Sequence, residues 1–170
     1  TGLTLLDLRL ILSAALKNNE FDWVEKFIKE KIYLINEELR INVNHYCYAH
    51  LMFYKTNYEG SLEHIQKIKL ASLPVTVDIY ILKAKIFYML GHLDSALAVA
   101  DSFRNSITGN KQLSDFHKVN LMNFVKYFKV MLRLSVKTDK SKIKNLSAEL
   151  KKISNIKEKK WLIEKIEALI

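Results

Sequence analysis

The chain has 170 residues, 49% of them apolar and 26% charged, with a formal net charge of +9. That length allows a sizeable core, and the balance is that of an ordinary soluble globular protein. Only Gly2, Gly60, Gly91, Gly109 and the single Pro74 punctuate it, too few for the tight turns of an all-β or α/β domain, so an all-α fold is expected.

Apolar residues recur at helical spacing along nearly the whole chain. Leu5, Leu8, Leu12, Ala15 and Leu16 make a first stripe, and Val24, Phe27, Ile28, Ile32 and Ile35 a second. Tyr48, Leu51, Met52 and Phe53 belong to a third segment, and Leu62, Ile65, Ile68 and Leu70 to a fourth. Ile79, Leu82, Ile86, Phe87 and Leu90 are followed by Leu93, Leu97, Ala100 and Phe103. A long segment carries Phe116, Val119, Phe124, Phe128 and Leu132; then come Ile143, Leu146, Leu150 and Ile153, and finally Trp161, Leu162, Ile166 and Leu169.

The breaks are short: Asn18-Asn19-Glu20, Thr56-Asn57-Tyr58, Gly91-His92, Thr108-Gly109-Asn110 and Thr138-Asp139-Lys140. Short breaks make successive helices antiparallel neighbours. About nine helices are expected, with Ser114 and Ser141 as N-caps and Gly109 as a C-cap. A bundle and a solenoid both satisfy this pattern.

The segment Tyr80 to Leu97 separates the two. Tyr80, Ala84 and Phe87 place an aromatic, a small residue and an aromatic along one helix; Gly91 and Leu93 make the turn, and the small Ala96 opens the next helix. This arrangement resembles a tetratricopeptide repeat. One repeat earlier, His45, Ala49, Met52, Thr56, Tyr58 and Ser61 fall in register at an offset of 35 residues, close to the family period of roughly 34. Asn19-Glu20-Phe21-Asp22 echoes the same turn once more. Lys83 and Phe103 depart from the family pattern, and the pair from Leu113 to Ile153 lacks the signature residues. The resemblance implies an α-α superhelix of antiparallel pairs: repeats over 3–35, 39–71 and 74–107, a longer atypical pair over 112–153, and a capping helix over 157–170. An unrelated helical bundle is the alternative.

Stacked pairs leave a concave face lined by the first (A) helix of each pair. Carried over residue by residue, the family's groove positions are Tyr46, His50, Phe53 and Tyr54, then Asp78, Ile81, Lys85, Tyr88 and Met89, with Arg9, Ser13 and Lys17 from the first repeat. Such aromatic and Met-rich positions suit a peptide or a sister domain, although core packing accounts for the same residues. The carboxylate-clamp subfamily is excluded, because its Lys and Asn positions hold Arg9 and Ser13, followed by Tyr46 and His50.

Charge divides the chain unevenly. Residues 1–110 balance 12 Lys/Arg against 12 Asp/Glu, whereas residues 111–170 hold 15 against 6, the whole excess. Lys111, Lys118, Lys126, Lys129, Arg133 and Lys137 fall within roughly a 100° arc of one helix. Lys142, Lys144, Lys151, Lys152, Lys157, Lys159 and Lys160 follow. This face either attracts nucleic acid or anionic headgroups, or is a solvated cap.

No phosphate loop, nucleophile elbow or carboxylate pair appears, so no enzyme and no cofactor are expected. Cys47 is the single cysteine, which excludes an intrachain disulfide and fits a reducing, cytoplasmic setting. His45, Cys47 and His50 spread over about 140–200° of a helix, which disfavours a metal site; His64, His92 and His117 stand isolated. The run between Arg40 and Lys55 is too short and polar to span a bilayer. The chain opens Thr1-Gly2-Leu3 rather than on Met, and a longer parent protein is expected. Overall the sequence points to a non-enzymatic scaffold binding a protein or peptide of unspecified identity.

Overall fold

A computed structural model describes residues 3–69 and 71–170; Thr1, Gly2 and Leu70, the last residue of the fourth stripe, lie outside the described residues. Among the described residues there are nine α-helices and no strand. They are α1 (Leu5–Lys17), α2 (Phe21–Lys31), α3 (Glu37–Tyr54), α4 (Tyr58–Gln66), α5 (Leu73–Met89), α6 (Leu93–Gly109), α7 (Asp115–Val136), α8 (Lys140–Lys152) and α9 (Lys159–Glu167), with a 3-10 turn at Ile32–Leu34. The chain forms two compact units, Thr1–Leu90 and Gly91–Ile170. The segment that carries the repeat signature therefore runs across their boundary, α5 belonging to the first unit and α6 to the second.

Five of the nine helix starts carry side-chain caps that satisfy orphan backbone donors. The amides of Asp7, Glu38, Gly60 and His117 donate to the side chains of Thr4, Asn36, Asn57 and Ser114. Ser114 is thus the N-cap expected. Ser141 is not: Asp139 caps α8 by accepting from the Lys142 amide at 3.0 Å, because a carboxylate two residues earlier offers the first turn a charged acceptor. Gly109 is not a left-handed C-cap either. It is the last residue of α6, and Asn110 follows it with φ −86° in extended backbone. Pro74 lies in the first turn of α5, where a missing N–H leaves no hydrogen bond unmade.

The turns after α1, α3 and α5 share one backbone torsion. Asn19 has φ 60°, Thr56 φ 60° and Gly91 φ 74°. In the first two, the following amide reaches back five residues, Glu20 N to Ala15 O at 3.0 Å and Asn57 N to Met52 O at 2.9 Å, a pattern that closes a helix with a left-handed residue. Spacings of 37 and 35 residues separate the three.

In the first unit α3 touches α1, α2, α4, α5 and the 3-10 turn. Leu8, Leu12, Leu16, Val24, Ile28, Val43, Tyr46, Cys47, Leu51 and Val75 are buried together, and Ala49, Phe53, Ile65, Leu82 and Ile86 make a second cluster. Each fully buried aliphatic side chain contributes about 2 kcal/mol. Ser61, fully buried, donates its hydroxyl to Ala49 O at 2.6 Å, which lets α3 and α4 approach closely with no polar group left over.

In the second unit α7 packs against α6 and α9, and α8 against α9. A run of rings crosses its core: Phe103 meets Phe124 at 6.5 Å, Phe124 stacks on Phe128 at 5.5 Å, and Phe128 on Trp161 at 6.3 Å. Phe103, which departs from the repeat pattern, is thereby explained: it fills the space between α6 and α7 where a small residue would leave a void.

Thr56 is the most strained of the three turn residues, since a β-branched side chain disfavours positive φ. Its side chain is exposed. Thr56→Gly is therefore expected to raise the stability of the first unit by about 1 kcal/mol in urea unfolding. An unchanged or lower midpoint would show the torsion to be unstrained.

Candidate functional site

The positions carried over from the resemblance sit on α1, α3 and α5, and three of them meet inside the first unit. Arg9 donates from Nε at 2.8 Å and from Nη2 at 2.7 Å to Oδ2 of Asp78, and the Tyr46 hydroxyl donates to the same oxygen at 2.8 Å. One carboxylate thus ties α1 and α3 to α5. Tyr46 is buried, while the Arg9 and Asp78 side chains are 21% and 13% exposed. Burial, reinforced by the neighbouring Asp78 charge, pushes the Tyr46 phenol well above its ordinary range. Burial lowers the Arg9 guanidinium pKa, but Asp78 outweighs it and the net displacement is upward. These effects hold Arg9 as a cation and Tyr46 as a neutral phenol.

Phe53, Ile81 and Lys85 are also buried. The Lys85 ammonium lies 4.9 Å from the Phe53 ring centroid, a cation–π contact that offsets part of its desolvation. Phe53 further meets Tyr54 and Tyr58 edge-on or tilted at 5.7 and 5.6 Å. His50 packs edge-on against Tyr46 at 4.6 Å. His50, Tyr54, Asp78, Tyr88 and Met89 are half-buried. Of the eight residues put forward for partner binding on α3 and α5, four are therefore core and none is fully exposed. α3 and α5 each bury residues on more than one side, and the carried-over positions fall largely on those sides.

The first helix differs. On α1, Leu8, Leu12 and Leu16 face the core, while Leu6 is 61% and Leu10 63% exposed. Ser13, Ala14 and Lys17 are exposed as well. At 100° per residue these five fall on one outward arc of about 100°. Ser13 and Lys17 were carried over from the repeat pattern; Leu6 and Leu10 were not singled out, although a helix apolar around nearly its whole circumference was the available signal.

The basic positions lie in the second unit. Lys126 and Arg133 are exposed on α7 and Lys118 is half-buried, whereas Lys137, also exposed, lies past the helix end in extended backbone and Lys111 lies before its start, so neither belongs to the expected helical arc. Lys129 is paired with Asp101 at 2.7 Å, and Lys126 lies 4.7 Å from the Tyr127 ring centroid. Lys129 is thereby removed from the free basic surface.

His45, Cys47 and His50 do not converge. Cys47 is buried, and burial pushes its thiol up to about 12. His45 turns instead to His64, which the sequence left isolated: their Nδ1 atoms are 3.0 Å apart, and His64 stacks on Tyr48 at 5.3 Å. Among the described residues no group of three or more His, Cys, Asp or Glu side chains could hold a metal ion. No helix among them is long and apolar enough to cross a membrane.

Removing the carboxylate tests the triad. Asp78→Ala strands the Arg9 and Tyr46 donors and is expected to cost about 3 kcal/mol by urea unfolding. Tyr46→Phe, which removes one neutral donor, should cost about 1 kcal/mol. Equal, small losses would mean that the carboxylate is not the tie. Comparison with family models, with curated proteins and with solved structures returns no match for this chain.

Proposed function

We propose that this chain is a non-enzymatic scaffold for protein–protein interaction, seating an amphipathic helical segment of a partner on the A-helix side of its first unit. The outward face of α1 supports this reading most. Leu6 and Leu10 hold two large aliphatic groups in water, and a helix with apolar residues on opposite faces is ordinarily covered on both. Leu6, Leu10 and Ala14 are four residues apart, the spacing of one helical ridge, and the small Ser13 and Ala14 let a partner backbone come near. This replaces a groove built on Tyr46, Phe53, Ile81 and Lys85, whose side chains are spent in the core.

The double variant Leu6→Glu/Leu10→Glu changes only exposed side chains, so its stability should stay within about 0.5 kcal/mol of wild type. Proteins recovered with the wild-type chain by cross-linking and affinity capture are expected to be absent from the variant. Their undiminished recovery with a folded variant would sink the assignment.

A second reading, binding of nucleic acid through the basic C-terminal third, is favoured by one observation. Lys126, Arg133 and Lys137 are exposed; Lys126 and Arg133 lie within about 20° of each other on α7, and Lys137 follows its last residue. If they meet phosphates, log affinity for a DNA duplex falls steeply with log salt, and Lys126→Glu/Arg133→Glu/Lys137→Glu should flatten that slope by about 2–3. Absence of binding at low salt removes this reading.

A further inference from the structure

We infer that His45 and His64 form an acid-released latch on the C-terminal end of α4. The two rings join different helices, with their Nδ1 atoms 3.0 Å apart. That contact is a hydrogen bond only when one Nδ1 carries a proton and the other offers its lone pair, so it requires at least one neutral imidazole. A second proton turns the acceptor into a donor and sets two like charges face to face.

The surroundings do not relieve that repulsion. Neither ring is hydrogen-bonded or ion-paired to a carboxylate among the described residues. Burial foremost, and then the Lys67 charge, holds both imidazoles below their ordinary range, with His45 adding to the effect on His64 and Glu63 opposing it weakly. Glu63 is itself paired with Lys67 at 2.7 Å. From α2, Glu25 is committed to Lys29 and to Lys55 of the α3 C-cap. From α1 and α5, Arg9 and Asp78 are committed to each other and to Tyr46.

The two ends of α4 are held differently. Its N-terminal half is fixed by the Asn57 cap and by the buried Ser61 hydroxyl on Ala49 O, neither of which titrates. Its C-terminal end is fixed by the histidine pair, by Ile65 and Ile68 packed into the core, and by the Lys69 amide on Asn42 Oδ1 at 2.8 Å. Since both imidazoles are harder to protonate when latched than when free, the open form binds more protons. The latch is therefore fully effective above the free value of 6.5 and is lost as pH falls through the lowered latched values. The first unit then opens locally at residues 64–69 and stays folded elsewhere.

Hydrogen exchange of the full chain, read by mass spectrometry with EDTA present, tests this. Rates for a peptide covering 58–69, divided by the intrinsic chemical rate, should rise several-fold between about pH 7 and about pH 5, while a peptide from α8 stays level. His64→Gln and His45→Gln, which cannot titrate, should abolish that rise. An unchanged wild-type ratio, an equal rise in both variants, or a parallel rise in α8 would overturn the latch. Imidazole proton resonances of the wild-type chain give a reading independent of any variant. Two coupled titrations displaced below 6.5 support it, and two independent titrations at the ordinary value refute it.

Discussion

Helices of 9 to 22 residues with one apolar stripe have little stability alone. Within each unit the helices depend on burying apolar residues against one another. In the first unit the requirement converges on α3, whose Val43, Tyr46, Cys47, Ala49, Leu51 and Phe53 are all buried. Because those residues spread over about 200° of the helix rather than one narrow stripe, α3 has to be covered from several directions, and α1, α2, α4 and α5 cover it. In the second unit α7 has the same role, with eight buried residues along 22.

Several polar groups in these interiors are matched to a partner. Asp78 collects three donors on one oxygen, Ser61 bonds a backbone carbonyl, and Ser147 donates to Glu167 at 2.6 Å. Lys85 sets its charge over a ring. These contacts add specificity more than net stability, since an apolar replacement of equal shape would pack as well. They also explain why residues suited to gripping a ligand instead hold the first unit together. An aromatic or charged side chain on α3 or α5 can face a neighbouring helix as readily as a groove, and sequence spacing does not distinguish the two.

Much of the architecture was legible in the sequence. Helix order, the turns at Asn19, Thr56 and Gly91, and the cap at Ser114 follow from apolar period and local chemistry. What escaped was non-local. His45 and His64 are 19 residues apart on different helices, and Arg9 and Asp78 are 69 apart; no local pattern announces either pair. The misplaced caps at Ser141 and Gly109 have a different cause. Several residues at a helix end can serve, and the choice is made by which acceptor reaches the first free amides. Leu6 and Leu10 were visible as apolar, but only exposure distinguishes them from Leu8 and Leu12.

The turn torsion shared by Asn19, Thr56 and Gly91 bears on where the chain gives way first. The three turns are alike in shape but unlike in ease of formation: left-handed backbone is nearly free for glycine, tolerated by asparagine and resisted by threonine. Turns of one shape therefore need not fray with equal ease: glycine keeps this bend at least cost, and threonine keeps it only as long as the helices on either side hold it there.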